Sequence, residues 1–212
     1  MTEPEIHDPI RVGIIGLGYW GPKLARNFSG QDGATVTMGA DLREDRFDDL
    51  KEICPNAIVT KDYKDLFNGP VDAVVIATPV SLHYRLAKEA LLAGKHVLVE
   101  KPMAEDSTQA DTLVSIAREN NLRLMVGHTF LYNAAVETVR RVIKSGELGE
   151  IYYLNALRVN LGQLQPDINV MWDLAPHDLS IFNYILDDDP ITVSAIGGVY
   201  VTNRQGYRKW CT

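Results

Sequence analysis

Lys101, Asp173 and His177 are the residues whose types and surroundings best suit proton transfer in this chain. Lys101 stands in Glu100-Lys101-Pro102, directly after the apolar run His96 to Val99. An ammonium in such a place can donate to a developing oxyanion or act as an acid. The competing reading is a surface lysine beside a turn. Asp173 and His177 are four residues apart, so a helix starting at Asp173 would aim both from one face. Histidine is the usual general acid–base near neutral pH. The competing reading is structural: Asp173 as an N-cap, Pro176 as a first-turn proline and His177 as a satisfied histidine. His83, near the start of its helical pattern, and His128, after Gly127, could line a cleft or serve only the local structure.

A second constellation concerns phosphate. Gly16-Leu17-Gly18-Tyr19-Trp20-Gly21 follows the apolar run Ile10 to Ile15 and precedes a helical pattern. In GxGxxG the first glycine permits a tight turn, and the second lets the backbone approach a pyrophosphate. The third lets helix and strand pack closely, and the helix N-terminus favours the anion. The motif alone is weak, but here a strand, a helix and an acid at the next strand tip accompany it. That acid, Asp41, would accept hydrogen bonds from ribose hydroxyls and repel a 2′-phosphate, favouring NAD over NADP. Arg43 qualifies this, since arginine can accommodate that phosphate. Asp41 could instead cap a helix beginning at Leu42.

These residues need elements to hold them. Strand character is read at Ile10 to Ile15, Thr35 to Ala40, Ala57 to Thr60, Val71 to Ala77, His96 to Val99 and Arg123 to Val126. Helical patterns begin at Pro22, Leu42, Tyr63, Ser81 (as an N-cap) and Asp106 or Ser107. Alternating short apolar strands and helices predict an α/β domain, a doubly wound parallel sheet over 1–127. Ligands on such sheets gather at the carboxyl ends of the strands. Those ends carry Gly16 to Gly21, Asp41, Thr78-Pro79, Glu100-Lys101-Pro102 and Gly127-His128. After His128 the rhythm changes. A helix over Ala134 to Lys144, strands over Ile151 to Leu161 and Ile191 to Val201, and a helix from about Asp173 to Leu186 predict an α+β domain over 128–212. Gly206 to Thr212 reads as an end without a closing element.

Composition excludes several classes. Net charge is −7, which argues against general affinity for nucleic acid or anionic membrane. No apolar run reaches the roughly 18 residues of a membrane helix. Cys54 and Cys211 form no CxxC or Cys/His cluster, so neither a metal site nor a disulfide framework is expected, and a reducing cytoplasm fits. Met1 to Pro9 has no apolar h-region and reads as a polar lead-in rather than a signal peptide.

The motifs together resemble the glucose–fructose oxidoreductase / inositol 2-dehydrogenase / MocA (Gfo/Idh/MocA) family. The resemblance rests on Gly16 to Gly21, Ala77-Thr78-Pro79 with His83, Glu100-Lys101-Pro102, Gly127-His128 leading to Tyr132-Asn133, and Asp173-Leu174-Ala175-Pro176-His177-Asp178, in family order. It implies a Rossmann domain followed by a domain on a mostly antiparallel sheet. It also implies hydride transfer between NAD(P) and a hydroxyl or keto carbon of a sugar, cyclitol or nucleotide sugar. Lys101 would sit at the reacting hydroxyl, His177 would be the base and Asp173 its neighbour. The implied cofactor-binding set is Gly16, Gly18, Tyr19, Trp20, Gly21, Asp41, Leu42, Arg43, Thr78, Pro79, His83, Glu100, Lys101 and His128. Family members are longer, so the chain reads as C-terminally truncated, and a full-length form as a homo-oligomer through the C-terminal sheet. Two alternatives stay open: an NADP-dependent ketosugar reductase, and a non-catalytic dinucleotide-binding protein.

Overall fold

The computed structural model describes residues 8–159, 168–202 and 208–211. It divides into two units, Met1–Gly127 and His128–Thr212. In the first, six strands run β1 (Ile10–Ile15), β2 (Ala34–Ala40), β3 (Ile58–Thr60), β4 (Ala73–Ile76), β5 (His96–Val99) and β6 (Leu124–Val126). The helices between them are α1 (Gly21–Ser29), α2 (Phe47–Ile53), α3 (Lys64–Asn68), α4 (Val80–Leu92) and α5 (Ser107–Glu119). All pairings are parallel, in the order β3-β2-β1-β4-β5-β6. The strand order reverses between β1 and β4, which makes their carboxyl ends the natural ligand crevice.

Alternation along the strands explains the two-sided core. Val12 and Ile14 of β1 and Val75 of β4 enter one cluster with Leu17, Ala25 and Leu50. Ile15, Val74 and Ile76 enter the other with Leu86, Leu91 and Leu113. Successive side chains point to opposite faces, and helices cover both. Leu50 and Leu113 are fully buried, so truncating either to alanine should cost about 2–5 kcal/mol. At the amino-terminal edge, Asp72 accepts from Arg11 through the backbone N–H (2.9 Å), Nε (2.9 Å) and a terminal guanidinium nitrogen (2.6 Å). This explains the one acid in an apolar run. The pairing holds the Asp72 carboxyl down to about 2.

Several boundaries differ from the sequence reading. The charged stretch after Asp41 starts as a 3-10 turn, Glu44–Arg46, and only then becomes α2. Ser81 is not the cap of α4; Pro79 holds that position with no side-chain hydrogen bond. Asp106 does cap α5, accepting from the Gln109 N–H at 2.8 Å.

The second unit contains a 3-10 turn (Thr129–Tyr132), α6 (Ala134–Lys144), α7 (Val170–Leu186) and an antiparallel pair, β7 (Gly198–Thr202) and β8 (Arg208–Cys211). Asp187, the left-handed cap of α7, is joined to Lys144 (3.1 Å) and Arg140 (3.5 Å) near the end of α6. Three expectations need correction here. No strand forms over residues 151–159, because no hydrogen-bonding partner lies beside them among the described residues; Asn160 and Leu161 lie outside the described residues. The strand expected from Ile191 starts only at Gly198. Part of the expected open end, Arg208–Cys211, pairs with β7; Gly206, Tyr207 and Thr212 lie outside the described residues. So does most of the lead-in, Met1 to His7.

Candidate cofactor and active site

The glycine loop is built around two close approaches. Gly16 has φ +93°, and a Cβ there would lie 2.7 Å from the Ala77 carbonyl oxygen, so β1 and β4 meet at the loop with no room for a side chain. A Cβ on Gly21 would run into the Gly16 carbonyl oxygen. Gly18 is the opposite case: among the described residues, nothing lies within 4 Å of where its Cβ would be. Two glycines therefore answer to packing inside the protein. The third leaves an open face at the start of α1, which suits a pyrophosphate.

Asp41 closes the loop from the next strand. Its Oδ2 accepts from the Leu17 N–H at 2.8 Å and its Oδ1 from the Arg43 N–H at 2.9 Å. Each carboxylate oxygen keeps a further lone pair for a ribose hydroxyl. Arg43 Nε lies 3.9 Å from Oδ1, with its side chain 55% exposed against 13% for Asp41. The donor set thus fits an adenosine ribose beside a pyrophosphate. Leu42 is exposed. Tyr19 and Trp20 are also exposed, edge-to-face at 5.3 Å, with the Lys23 ammonium 3.3 Å from the Tyr19 centroid.

At the ends of β4 and β5, Thr78-Pro79 and Glu100-Lys101-Pro102 stand side by side, since Ile76 pairs with Val99. The Lys101-Pro102 peptide is cis. Glu100 Oε2 accepts from the Lys101 N–H at 3.3 Å, and the carboxyl lies against Gly127, where a Cβ would be 3.1 Å from it. Burial pushes the Glu100 carboxyl above its usual range, opposed by the Lys101 N–H and charge. His83 is 1% exposed, with its ring nitrogens on the Pro102 and Thr78 carbonyls.

In the second unit, α7 begins at Val170, capped by Asn169, whose side chain accepts from the Trp172 N–H at 2.9 Å. Asp173 is therefore a first-turn residue and not the cap, and Pro176 lies inside the helix. Asp173 and His177 share a face one turn apart. The His177 ring meets Phe130 edge-on at 4.9 Å. Arg158 lies over Phe130 at 5.2 Å and grips Asp178 with two 2.8 Å hydrogen bonds. Neither Phe130 nor Arg158 stood out in the sequence, because the contacts span 20 or more positions. His128 lines an open cleft of about 540 Å³ with Leu131, Pro176, Leu179, Ser180, Asn183 and Tyr184. Burial pushes its imidazole below the usual range.

The pattern of the oxidoreductase family with NAD-binding Rossmann fold, GFO_IDH_MocA, matches residues 10–128. The chain belongs to the Gfo/Idh/MocA family. Among curated relatives, the UDP-N-acetylglucosamine 3-dehydrogenase of Acidithiobacillus ferrooxidans is 32% identical over 199 residues, covering 92% of this chain and 60% of the relative. Among solved structures, KijD10, a 3-ketoreductase from Actinomadura kijaniata in complex with NADP and TDP-benzene, is 35% identical. It superposes with a TM-score of 0.61 over 66% of this chain and 43% of that one. The scyllo-inositol dehydrogenase of Lactobacillus casei with bound NAD(H) and scyllo-inositol shares the fold, with a TM-score of 0.71 over 84% of this chain and 56% of that one, at 23% identity. This Gfo/Idh/MocA chain therefore spans three-fifths or less of the length of each of these proteins. Among the described residues, no helix is long and apolar enough to cross a membrane, and no group of three His, Cys, Asp or Glu could hold a metal.

Proposed function

We propose that this chain carries the dinucleotide site and part of the substrate site of an NAD(P)-dependent oxidoreductase. Its substrate would be a sugar, cyclitol or nucleotide sugar, oxidised or reduced at a hydroxyl or keto carbon. The observation that carries the reading is the glycine loop. Gly16 and Gly21 are closed by the protein's own backbone, Gly18 is open, and Asp41 fastens the loop while offering its remaining lone pairs. A bound nicotinamide would exchange hydride with the substrate carbon. Gly16 to Gly21 would hold the pyrophosphate, Asp41 the adenosine ribose, and the turns at Thr78 and Glu100 the nicotinamide half. Lys101 would donate to the substrate oxygen as charge develops there. His177 would take the hydroxyl proton, with Asp173 one turn earlier on the substrate side. Asp41 favours NAD. The second reading, an NADP-dependent reductase, draws on the exposed guanidinium of Arg43 beside Asp41.

The full-length protein is proposed to assemble as a homo-oligomer through its C-terminal domain. A reducing cytoplasm remains the proposed compartment, supported by two scattered cysteines, of which Cys54 is free. The test has two parts. Titrating the 212-residue chain with NADH and NADPH examines the cofactor site. Assaying a full-length version against a panel of sugars, cyclitols and nucleotide sugars examines the chemistry. Lys101→Ala and His177→Ala should each slow turnover by about 10²–10⁴. Near-native turnover in either variant would remove that residue from proton transfer, and tight NADH binding with no turnover on any substrate would favour a non-catalytic binding protein.

A further inference from the structure

We infer that His83 is a positioning residue that locks the turn carrying Lys101 to the turn carrying Thr78, and is not itself a contact to the cofactor. The inference rests on the proposed dinucleotide site. His83 lies in the first turn of α4, yet its ring turns inward and is 1% exposed. Nδ1 is 2.8 Å from the Pro102 carbonyl oxygen, and Nε2 is 2.9 Å from the Thr78 carbonyl oxygen; both oxygens only accept, so the imidazolium donates to both and a neutral ring to one. One rigid ring therefore spans the exits of β4 and β5. Both oxygens belong to residues just beyond the strand ends, outside the β4–β5 ladder. Each would lose its ring partner without His83.

The adenosine end is held by a different set of bonds. Asp41 fastens Leu17 and Arg43, and Gly16 packs on Ala77. Loosening the clamp should therefore disturb the nicotinamide half of the site and spare the adenosine half. A merely structural role would affect both halves together.

The experiment measures NADH and AMP affinities of the 212-residue chain for wild type, His83→Ala, His83→Asn and His83→Gln. Asparagine places an amide nitrogen near the Nδ1 position and can keep the Pro102 bond. Glutamine reaches the Nε2 position and can keep the Thr78 bond. His83→Ala should weaken NADH by about tenfold, as expected for loss of a positioning hydrogen bond, and leave AMP within about twofold of wild type. The asparagine and glutamine variants should each recover part of the loss. The inference is overturned if His83→Ala binds NADH like wild type, or if NADH and AMP weaken by the same factor. If the alanine variant does not fold, wild-type NADH affinity in both conservative variants overturns it equally. Wild type binding neither ligand would instead bring down the proposed cofactor site, and the clamp's role with it.

Discussion

Asp41 Oδ2 accepts a hydrogen bond from the Leu17 N–H at 2.8 Å, so the acid at the end of β2 fastens the loop that leaves β1. One carboxylate thus has two jobs, loop architecture and the proposed recognition of ribose. Asp41→Ala should remove both: stability falls by about 1–2 kcal/mol for the lost acceptors, and NADH affinity falls by at least about tenfold. Asp41→Asn keeps one acceptor oxygen and should be intermediate. In both variants the ratio of NADPH to NADH affinity should rise, because the charge opposing a 2′-phosphate is gone while Arg43 remains. Parallel titrations with the two cofactors decide this; an unchanged ratio would remove Asp41 as a selector.

Gly18 and Gly21 should respond in opposite ways to the same added methyl. Gly21→Ala drives a Cβ into the Gly16 carbonyl and should destabilise the first unit by about 1–3 kcal/mol, as overpacking does. Gly18→Ala meets no atom of the described residues within 4 Å, so its stability should stay within about 0.5 kcal/mol of wild type. Its NADH affinity should nevertheless fall by about tenfold or more, since the methyl occupies the open face assigned to the pyrophosphate. Urea unfolding and NADH titration of both variants give the comparison. A Gly18→Ala chain that keeps full affinity would place the phosphates elsewhere.

These contrasts show which parts of the site were legible in the sequence. The loop, its helix and the acid at the tip of β2 follow one another from Gly16 to Asp41. The Asp41–Leu17 bond spans 24 residues, yet strand, GxGxxG, helix and acid-tipped strand in that order form a recurrent pattern. The job of His83 left no such pattern, because its partners are the backbone carbonyls of Thr78 and Pro102, a group every residue type supplies. Arg158 left none either, because no recurrent motif joins it to Asp178, 20 residues on. The start of α7 was misplaced for a different reason. Asn169 and Asp173 are both good caps, and only the bond from the Trp172 N–H to Asn169 decides between them. The expected strand is absent over the described residues 151–159, and the one expected from 191 starts only at Gly198, for a third reason. Apolar alternation licenses a strand only where a partner supplies its hydrogen bonds.

The Arg11–Asp72 pair predicts an acid limb in the stability of the first unit. The Asp72 carboxyl is lowered to about 2 by the guanidinium and backbone N–H of Arg11. A depressed carboxyl contributes stability above its unfolded value, about 3.9, and that contribution is lost as pH falls through the folded value. Stability of the wild type should therefore drop between about pH 4 and pH 2. Asp72→Asn should be less stable at neutral pH and show a shallower drop over that window. Urea midpoints at several acidic pH values test this, and parallel curves for the two proteins would exclude the pair as the source.

Glu100 should act in the opposite direction. Its carboxyl is raised, chiefly by burial, against the opposing Lys101 N–H and charge. The folded state therefore holds this proton more tightly than the unfolded chain does. The linked stability is complete below the unfolded glutamate value, about 4.3. It declines as pH rises through the higher folded value. Glu100→Gln cannot titrate, yet its amide oxygen can still accept from the Lys101 N–H. The variant should lose the decline and become more stable than wild type at neutral pH. Gly127→Ala would press a methyl against the same carboxyl, 3.1 Å from Oε2. Exchange of the β4 and β5 backbone amides, followed from about pH 4.5 upward, reports on this unit alone. Equal pH slopes in wild type and Glu100→Gln would show that Glu100 does not carry the linkage. A steeper decline in wild type would tie the protonation of Glu100 to the turn that carries Lys101.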